Sequence, residues 1–315
     1  MLRPDSASLG SQLFIPETNR PLLYMDLNLQ TVTTPPRAAA SVVMLRDGAQ
    51  GLEVFMLKRH GLADVLGGAY VFPGGKVDTG DAQLDMQTHV DAQPAALLSR
   101  LNEPLIDELT GAGLYVAAMR EAFEESGVLY AEGASAQIAG QAWSLVREGR
   151  SFAEVLGLMK LRLQATSLAP WSRWITPTMP SIMSKRFDTR FFVAGVPSDQ
   201  VAVHNDHEST ESAWLRPRDA LLQYWEHQIE LAPPQIMGLA HLARHADVAG
   251  VLEQARDRMP PVIQPEPFDE EGVRTICYPG DERHSLRERA LPGPSRLSYV
   301  NKRFEPPGGF ESLFE

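Results

Sequence analysis

The chain has 315 residues, of which 40 are acidic and 29 are Lys or Arg, so its formal net charge at pH 7 is −11. This balance excludes bulk binding of nucleic acid, because a phosphate backbone requires a concentrated surplus of Lys and Arg. No apolar run reaches the ~18 residues of a membrane span, and the first residues lack the apolar segment of a secretory signal. A lone Cys277 cannot form an internal disulfide, so we expect a cytoplasmic protein.

Three β-like runs open the ordered part of the chain, after an N-terminal extension over residues 1–38. The first two, 39–45 and 52–58, flank a turn at Asp47-Gly48. The third, 69–72, ends abruptly in Pro73-Gly74-Gly75. This pattern predicts a hairpin, followed by a strand that enters a tight glycine loop.

The middle of the chain is mainly helical by periodicity. The sequence pattern predicts a short helix over residues 95–109. Over residues 114–130 it predicts an amphipathic helix on which Glu121, Glu124 and Glu125 share a face. Residues 131–170 also show helical spacing of apolar side chains. We interpret 82–113 and 131–170 as insertions within one domain.

A β-rich part follows, with strands predicted at 190–196 and 211–215 and helices at 217–228 and 234–245. Nine of the 24 prolines fall in the last 57 residues. The predicted organisation is therefore one domain over 39–258 and a loop-rich, proline-rich extension over 259–315 that packs on it.

The segment Arg120–Val128, with the sequence REAFEESGV, carries the strongest chemical signal. Three ionised carboxylates at positions i, i+3 and i+4 of a helix repel one another by a few tenths of a kcal/mol per pair. A cluster of anionic oxygens suits Mg²⁺ or Mn²⁺, which bind a few carboxylates, retain several waters and take further ligands from phosphates.

This segment resembles the second half of the Nudix hydrolase signature. In that family, a glycine is followed after five residues by Glu, and after seven more by Arg-Glu, an apolar residue, any residue, Glu-Glu, any residue, Gly and an apolar residue. Here Gly75 is followed after five residues by Asp81, and the second half matches from Arg120 to Val128.

The match departs from the family pattern at two points. Asp81 is one methylene shorter than Glu, so we expect its contact to be lost or mediated by water. Thirty-eight residues separate Asp81 from Arg120 instead of seven, an insertion of 31. Such an insertion is tolerable if its ends meet in space, because the entropy of loop closure grows only logarithmically with length.

A split signature resembles the coenzyme A and acyl-CoA diphosphatase branch of the family, exemplified by the mammalian peroxisomal enzyme. The resemblance extends from about residue 39 to about residue 285. Four further segments carry it: Trp171–Pro177 (WSRWITP), Arg186–Phe192 (RFDTRFF), Ala232–Gln235 (APPQ) and Pro279–Glu282 (PGDE).

The resemblance implies an α/β fold, the Nudix α/β/α sandwich with a mixed β-sheet, here with helical insertions and a proline-rich C-terminal tail. It also implies Mg²⁺- or Mn²⁺-dependent hydrolysis of coenzyme A or acyl-CoA to 3′,5′-ADP and (acyl-)4′-phosphopantetheine. Hydrolysis of ADP-ribose, NADH or another nucleoside diphosphate derivative is the nearest alternative. A catalytically inactive ligand-binding module is another, motivated by Asp81 and the insertion. The expected partner is a small molecule, and a homodimer is left open.

The resemblance also assigns roles to the helix residues. Glu121, Glu124 and Glu125 would be the metal ligands, and Arg120 would orient these carboxylates through charge-assisted hydrogen bonds. Glu208, six residues before Trp214, is the first candidate for the general base. Glu211 or one of the helix glutamates is the alternative.

The substrate would meet the glycine loop and a set of basic residues. Gly74 and Gly75 would let the backbone approach metal and phosphate closely. Arg59 and Arg186 are the leading phosphate contacts, because Arg can bind a phosphate through two hydrogen bonds. The further candidates for phosphate contact are Lys58, Lys76, Lys185 and Arg190.

The remaining residues that could carry chemistry are better explained by structure. Trp171 and Trp174 are either core anchors or surfaces for stacking an adenine or lining an acyl channel. His241 and His245 lack the glutamate of a zinc protease motif. Cys277 has no neighbouring His or Asn in sequence, which disfavours a nucleophilic role.

Overall fold

A central sheet is built around the hairpin of β1 (Arg37–Gly48) and β2 (Gly51–Arg59). Their apolar runs favour strands, and the predicted hairpin is observed. Its turn lies at Ala49-Gln50 rather than at Asp47-Gly48, which belong to β1, with Gly48 opposite Gly51. The φ angle of Gly51 is 114°, a conformation that glycine adopts without steric cost. A computed structural model describes the chain over residues 27–28, 30–60, 66, 68–181, 185–205 and 209–315.

The described strands of this sheet have the order β3-β2-β1-β6-β5-β8, with β4 beside β1 and β7 beside β2. The pairs β1·β6 and β5·β8 are parallel and the others are antiparallel, so the sheet is mixed as predicted. Its remaining strands are β3 (Tyr70–Val71), β4 (Gly74–Lys76), β5 (Ala169–Ile175), β6 (Phe187–Gly195), β7 (Ser209–Leu215) and β8 (Val262–Ile263).

Helices cover both faces of the sheet. The α-helices of the described residues are α1 (Thr79–Gln83), α2 (Met86–His89), α3 (Pro94–Ser99), α4 (Glu108–Ser126), α5 (Ala136–Arg147), α6 (Phe152–Met159), α7 (Pro217–Trp225), α8 (Pro233–Leu242) and α9 (Val248–Asp257). Short 3₁₀ helices lie at Ala165–Ser167 and Phe310–Phe314. None of the helices in the described ranges is long and apolar enough to cross a membrane.

The carboxylate helix α4 starts six residues before and ends four residues before the predicted bounds of 114 and 130, because its ends are fixed by capping rather than by its apolar face. The Asp107 side chain accepts a hydrogen bond from the Thr110 backbone N–H, which starts the helix six residues before the predicted residue 114. Gly127, in the left-handed conformation, ends it.

Alternation along β1 divides the apolar side chains into two cores. Val42 and Met44 face a first core shared with helices α4, α5 and α6. Val43 and Leu45 face a second core shared with α7, α8 and α9. Because successive side chains of a strand point to opposite faces, one sheet buries both layers. The result is the predicted α/β/α sandwich.

The prediction of a loop-rich tail was wrong in one respect, because the tail forms its own antiparallel sheet. This sheet has the order β12-β11-β10-β9 and comprises β9 (Glu266–Glu270), β10 (Val273–Cys277), β11 (Arg296–Val300) and β12 (Arg303–Glu305). Pro267 lies in β9, an edge strand, where a missing N–H is tolerated. Leu297 and Phe304 belong to the second core, so the tail packs against α7 and α8.

Two contacts fix the first insertion, residues 82–113, to the domain. Its two ends touch, because a Cβ atom at Gly113 would lie 3.0 Å from the Cα of Ala82. Near its centre, the buried carboxylate of Glu103 binds the Nε of Arg190 at 2.8 Å and the Nη1 of Arg173 at 3.0 Å. The insertion is therefore anchored to β5 and β6 of the central sheet.

Candidate active site

The site forms where β4 crosses the carboxylate helix α4. Gly75 pairs with Ala40 of β1, and a Cβ atom at Gly75 would lie 2.6 Å from the carboxylate of Glu121. A Cβ atom at Gly74 would lie 2.6 Å from the carbonyl oxygen of Ala40. The contact at Gly74 is with backbone, which cannot give way, whereas a side chain at Gly75 would displace the Glu121 carboxylate.

The Arg120 guanidinium lies at the centre of the acidic cluster. Its Nε and Nη2 donate to the two carboxylate oxygens of Asp81 at 2.8 and 3.0 Å. Its Nη1 donates to Glu121 at 2.8 Å and to Glu124 at 3.0 Å, and its Nη2 also donates to the Lys76 carbonyl oxygen. One buried cation therefore holds three carboxylates in fixed positions.

Asp81 contacts the carboxylate helix directly, through its bond to Arg120. Asp81 sits at the third position of α1, where its Oδ2 also accepts a hydrogen bond from the Asp78 backbone N–H at 2.8 Å. Helix α1 packs directly against α4. The shorter side chain reaches Arg120 because α1 brings its backbone close to α4.

Burial and charge perturb the titration of this cluster. Burial raises the pKa of Glu124; Arg120 opposes this effect, whereas the charges of Asp81 and Asp78 add to it, and the pKa remains above its ordinary value. Burial lowers the pKa of Arg120, but the hydrogen bond to Asp81 and the neighbouring carboxylates outweigh it and raise the pKa. Arg120 is therefore permanently charged, and Glu124 lacks full compensation of its negative charge.

The predicted metal ligands have two different environments. Glu121 and Glu124 line an open cleft of about 770 Å³. Glu125 is buried, and its Oε2 accepts a hydrogen bond from the Gly74 backbone N–H at 2.8 Å, which fixes the glycine loop to α4.

The donor set fits a hard divalent cation held in part by substrate. Within the described ranges, no three acidic, His or Cys side chains converge to form a complete metal cage. Mg²⁺ does not require one, because it takes one or two carboxylates and completes its shell with water and phosphate oxygens. Glu121 and Glu124, which line the cleft, supply carboxylates of this kind.

The same cleft is also lined by basic residues. Arg59, Lys76 and Lys185 line it together with the glycine loop. Arg186 does not line it, because its guanidinium donates to the backbone carbonyl oxygens of Thr176 and Thr34. Arg190 binds Glu103 and is not among the residues that line the cleft. The cleft therefore brings together only some of the residues that were predicted to bind phosphate.

Of the predicted bases, Glu208 lies outside the described residues. Glu211 lies on β7 opposite Lys58, and its Oε2 is 3.4 Å from the Lys58 Nζ, away from the cleft lining. Asn205 binds the end of α4, since its backbone N–H and side-chain amide donate to the carbonyl oxygens of Glu125 and Glu124. No sequence pattern indicated this contact of Asn205.

Other residues considered in the sequence have structural contacts. Trp171 is buried against His241, with ring centroids 4.5 Å apart. His241 and His245 both bind the Gln254 side chain. Cys277 is buried, and burial raises the pKa of its thiol to about 11, which disfavours a thiolate.

Comparison with known proteins identifies the family to which this architecture belongs. A family model described as the NUDT19 Nudix domain matches residues 30–242. The chain belongs to the Nudix hydrolase family. The predicted family is confirmed, and the family and fold together indicate a diphosphatase enzyme. Nudix hydrolases generally need divalent metal ions.

Individual relatives of this Nudix hydrolase are distant. It is 27% identical over 271 residues to a nudix hydrolase 7 of Caenorhabditis elegans, covering 84% of this chain and 80% of that one. It is 26% identical over 231 residues to the acyl-coenzyme A diphosphatase NUDT19 of Xenopus laevis, covering 62% of this chain and 61% of that one.

A solved structure shares the fold. The crystal structure of a NUDIX hydrolase from Alicyclobacillus acidocaldarius superimposes with a TM-score of 0.55 and 24% sequence identity. The match covers 73% of this chain and 99% of that one. The predicted α/β class is confirmed by this neighbour and by the mixed sheet.

Proposed function

We propose that this Nudix hydrolase cleaves the diphosphate bond of coenzyme A or acyl-CoA, giving 3′,5′-ADP and (acyl-)4′-phosphopantetheine. The carrying observation is one cleft that combines the carboxylates of Glu121 and Glu124 with the cations of Arg59, Lys76 and Lys185. Carboxylates can hold a divalent cation, and basic side chains can bind phosphates that the metal leaves exposed. The names of the NUDT19 relatives support a CoA-like substrate.

The proposed ligands of Mg²⁺ or Mn²⁺ are Glu121, Glu124 and Glu125. When bound, such a cation neutralises diphosphate charge and lowers the pKa of a coordinated water. Arg120 keeps the carboxylates oriented through its bonds to Glu121 and Glu124. Gly74 and Gly75 have no side chains, so they leave open the space through which the diphosphate must approach these carboxylates.

In the proposed reaction, water attacks phosphorus and no covalent enzyme intermediate forms. Glu208 is the first candidate to take the proton of this water, with Glu211 or a glutamate of α4 as alternatives. Replacement of Glu208 by Gln, with Glu211→Gln as the paired variant, distinguishes these candidates. The base is the residue whose replacement removes the acidic limb of the pH profile of kcat/KM.

The decisive experiment is a substrate panel. Purified protein is incubated with Mg²⁺ or Mn²⁺ and, in parallel, with coenzyme A, acyl-CoA, ADP-ribose and NADH. We expect turnover of coenzyme A or acyl-CoA that EDTA abolishes. Preference for ADP-ribose or NADH replaces the proposed substrate, whereas no turnover on any diphosphate favours the inactive ligand-binding module.

A ligand variant tests the metal assignment. Glu125→Gln is expected to lower kcat by about a hundredfold or more, since the loss of a metal ligand removes several kcal/mol of transition-state stabilisation. The fold should persist, because the amide oxygen of Gln can still accept the hydrogen bond from Gly74. Glu108→Gln, at the exposed start of the same helix, is the matched control and should keep wild-type activity.

A further inference from the structure

A second, smaller cavity of about 180 Å³ adjoins the cleft. Its walls are mainly apolar, and no Lys, Arg, Asp or Glu is found among the described residues that line it. Phe187, Thr189, Phe191 and Gln235 line both spaces, so they form a shared wall between the cavity and the carboxylate cleft. The cavity is therefore an uncharged extension of the carboxylate cleft.

The walls of this cavity are preformed. Trp174 packs edge-on against Tyr278 with ring centroids 5.7 Å apart, and Phe191 packs edge-on against Phe72 at 6.2 Å. Prolines at the start of α8 add rigid surface. A ligand that enters such a site orders few side chains, which favours binding.

Two buried polar atoms of the cavity wall have no hydrogen-bond partner among the residues that the structure describes. They are the side-chain Oε1 of Gln235 and the hydroxyl oxygen of Ser181. Their residues are only 6% and 7% exposed. A buried acceptor without a donor is costly, so a ligand that brings an N–H or O–H to Gln235 would be favoured.

The N-terminal end of α8, which lines this cavity, is unsuited to binding phosphate. A helix N-terminus binds anions through free backbone N–H groups, but Pro233 and Pro234 have none, and the Gln235 N–H donates to the Ala232 carbonyl oxygen. A phosphate in this cavity would find no Lys or Arg side chain among the described lining residues, and no free backbone N–H at Pro233, Pro234 or Gln235. The occupant is therefore a neutral group.

We propose that this cavity binds the uncharged arm of the substrate, an acylated chain that carries amide groups, and that Gln235 is a specificity-determining residue whose Oε1 accepts an amide N–H of that arm. The proposal rests on the proposed function, in which coenzyme A supplies this arm as acylated pantetheine. The cavity is comparable in volume with an apolar cavity of ~150 Å³ that holds benzene, so it accommodates about six carbon atoms.

Hexanoyl pantetheine tests this assignment without catalysis, because it carries the arm and lacks the diphosphate. Calorimetry on the full chain should show binding with a negative heat-capacity change, the signature of apolar burial. Gln235→Leu should weaken this binding about fivefold, the value of one hydrogen bond. Thr189→Phe should abolish it by filling the cavity, and Gln141→Leu, an exposed position on α5, should leave it unchanged.

Turnover of an acyl-CoA series supplies a second readout. We expect kcat/KM to rise about fourfold for each methylene that the cavity buries, up to about six carbons, and then to level off. Thr189→Phe should remove this dependence on chain length. Because Thr189 lies on β6 and Gln235 on α8, a folding failure of one variant, detected by circular dichroism, leaves the other as a valid test.

The outcomes separate the two proposals. If no CoA compound is hydrolysed, but hexanoyl pantetheine binds and both variants weaken it, the cavity assignment stands and the proposed function fails. If coenzyme A is hydrolysed, but chain length and both variants change nothing, the cavity assignment is overturned and the proposed function stands. Failure of hexanoyl pantetheine to bind the wild-type protein also overturns the assignment.

Discussion

Replacement of Gly75 by Ala tests the geometry of the site most directly. The new Cβ atom would lie 2.6 Å from the carboxylate carbon and both carboxylate oxygens of Glu121. Ordinary contacts of this kind are about 3.5 to 4.0 Å, so the Glu121 carboxylate must move by about 1 Å. This movement breaks or lengthens its 2.8 Å bond to Arg120.

The expected effect falls on activity rather than on stability. A 1 Å displacement of a catalytic group can lower kcat by about a hundredfold. The cost in stability should stay below about 1 kcal/mol, because the displaced group ends a flexible side chain and Gly→Ala reduces the entropy of the unfolded chain. Gly75→Ala therefore separates catalysis from folding.

Two neighbouring glycines provide matched controls. A Cβ atom at Gly74 would lie 2.6 Å from backbone atoms of Ala40 and Ser41, which cannot move independently of β1. Gly74→Ala should thus destabilise the fold by about 1 to 3 kcal/mol. A Cβ atom at Gly80 meets nothing within 4 Å, so Gly80→Ala should leave kcat unchanged and should not destabilise the fold.

The assay measures kcat and KM for coenzyme A at saturating Mg²⁺, together with urea unfolding of each variant. Our reasoning is refuted if Gly75→Ala keeps kcat within about threefold of wild type while its unfolding curve is unchanged. Equal loss of stability in Gly74→Ala and Gly75→Ala would also contradict it, because only Gly74 faces immovable backbone.

Three further variants test charges that the fold buries. Glu103→Gln should lower the free energy of unfolding by about 3 to 5 kcal/mol, because it removes the negative charge that compensates Arg190 and Arg173. A loss below 1 kcal/mol in urea unfolding would contradict this. Asp81→Asn should cost about 2 to 4 kcal/mol and lower kcat, since its amide cannot pair with both nitrogens of Arg120; an unchanged unfolding midpoint argues against it. Burial raises the pKa of Glu230 to about 7, from an ordinary 4.5, so the folded state binds its proton more tightly and stability should fall as the pH rises between these values. Glu230→Gln should therefore be about 1 to 2 kcal/mol more stable than wild type at pH 8, after allowance for partial exposure, with no gain at pH 4; urea unfolding at both pH values measures this.

The first two strands and the carboxylate helix were predictable because their signals are local. The runs at 39–45 and 52–58 are apolar and β-branched, and both became strands of the central sheet. The start of α4 was not predicted, because it is set by the cap at Asp107 rather than by periodicity. Helix α9 and the strands of the tail were missed because they depend on packing against the second core.

Within the site, the sequence indicated which residue types meet but not which of the cations reach the cleft. Arg59 and Arg186 are equivalent as sequence candidates, yet only Arg59 lines the cleft, while Arg186 binds backbone carbonyl groups. Gln235 belongs to the quoted APPQ segment, but its buried, unpaired oxygen is visible only in three dimensions. Such pairings depend on contacts between distant parts of the chain.

The two halves of the split signature come together because the first and last residues of the insertion lie next to each other. Ala82 and Gly113, its first and last residues, are in backbone contact, so the long loop is closed at its base. Asp81, immediately before it, binds Arg120, the first residue of the second half of the signature. Closure over a long loop costs only a logarithmic entropy term, and the buried contacts of Glu103 stabilise the inserted segment on the sheet. The insertion therefore adds surface beside the carboxylate helix and leaves the two halves of the signature in contact.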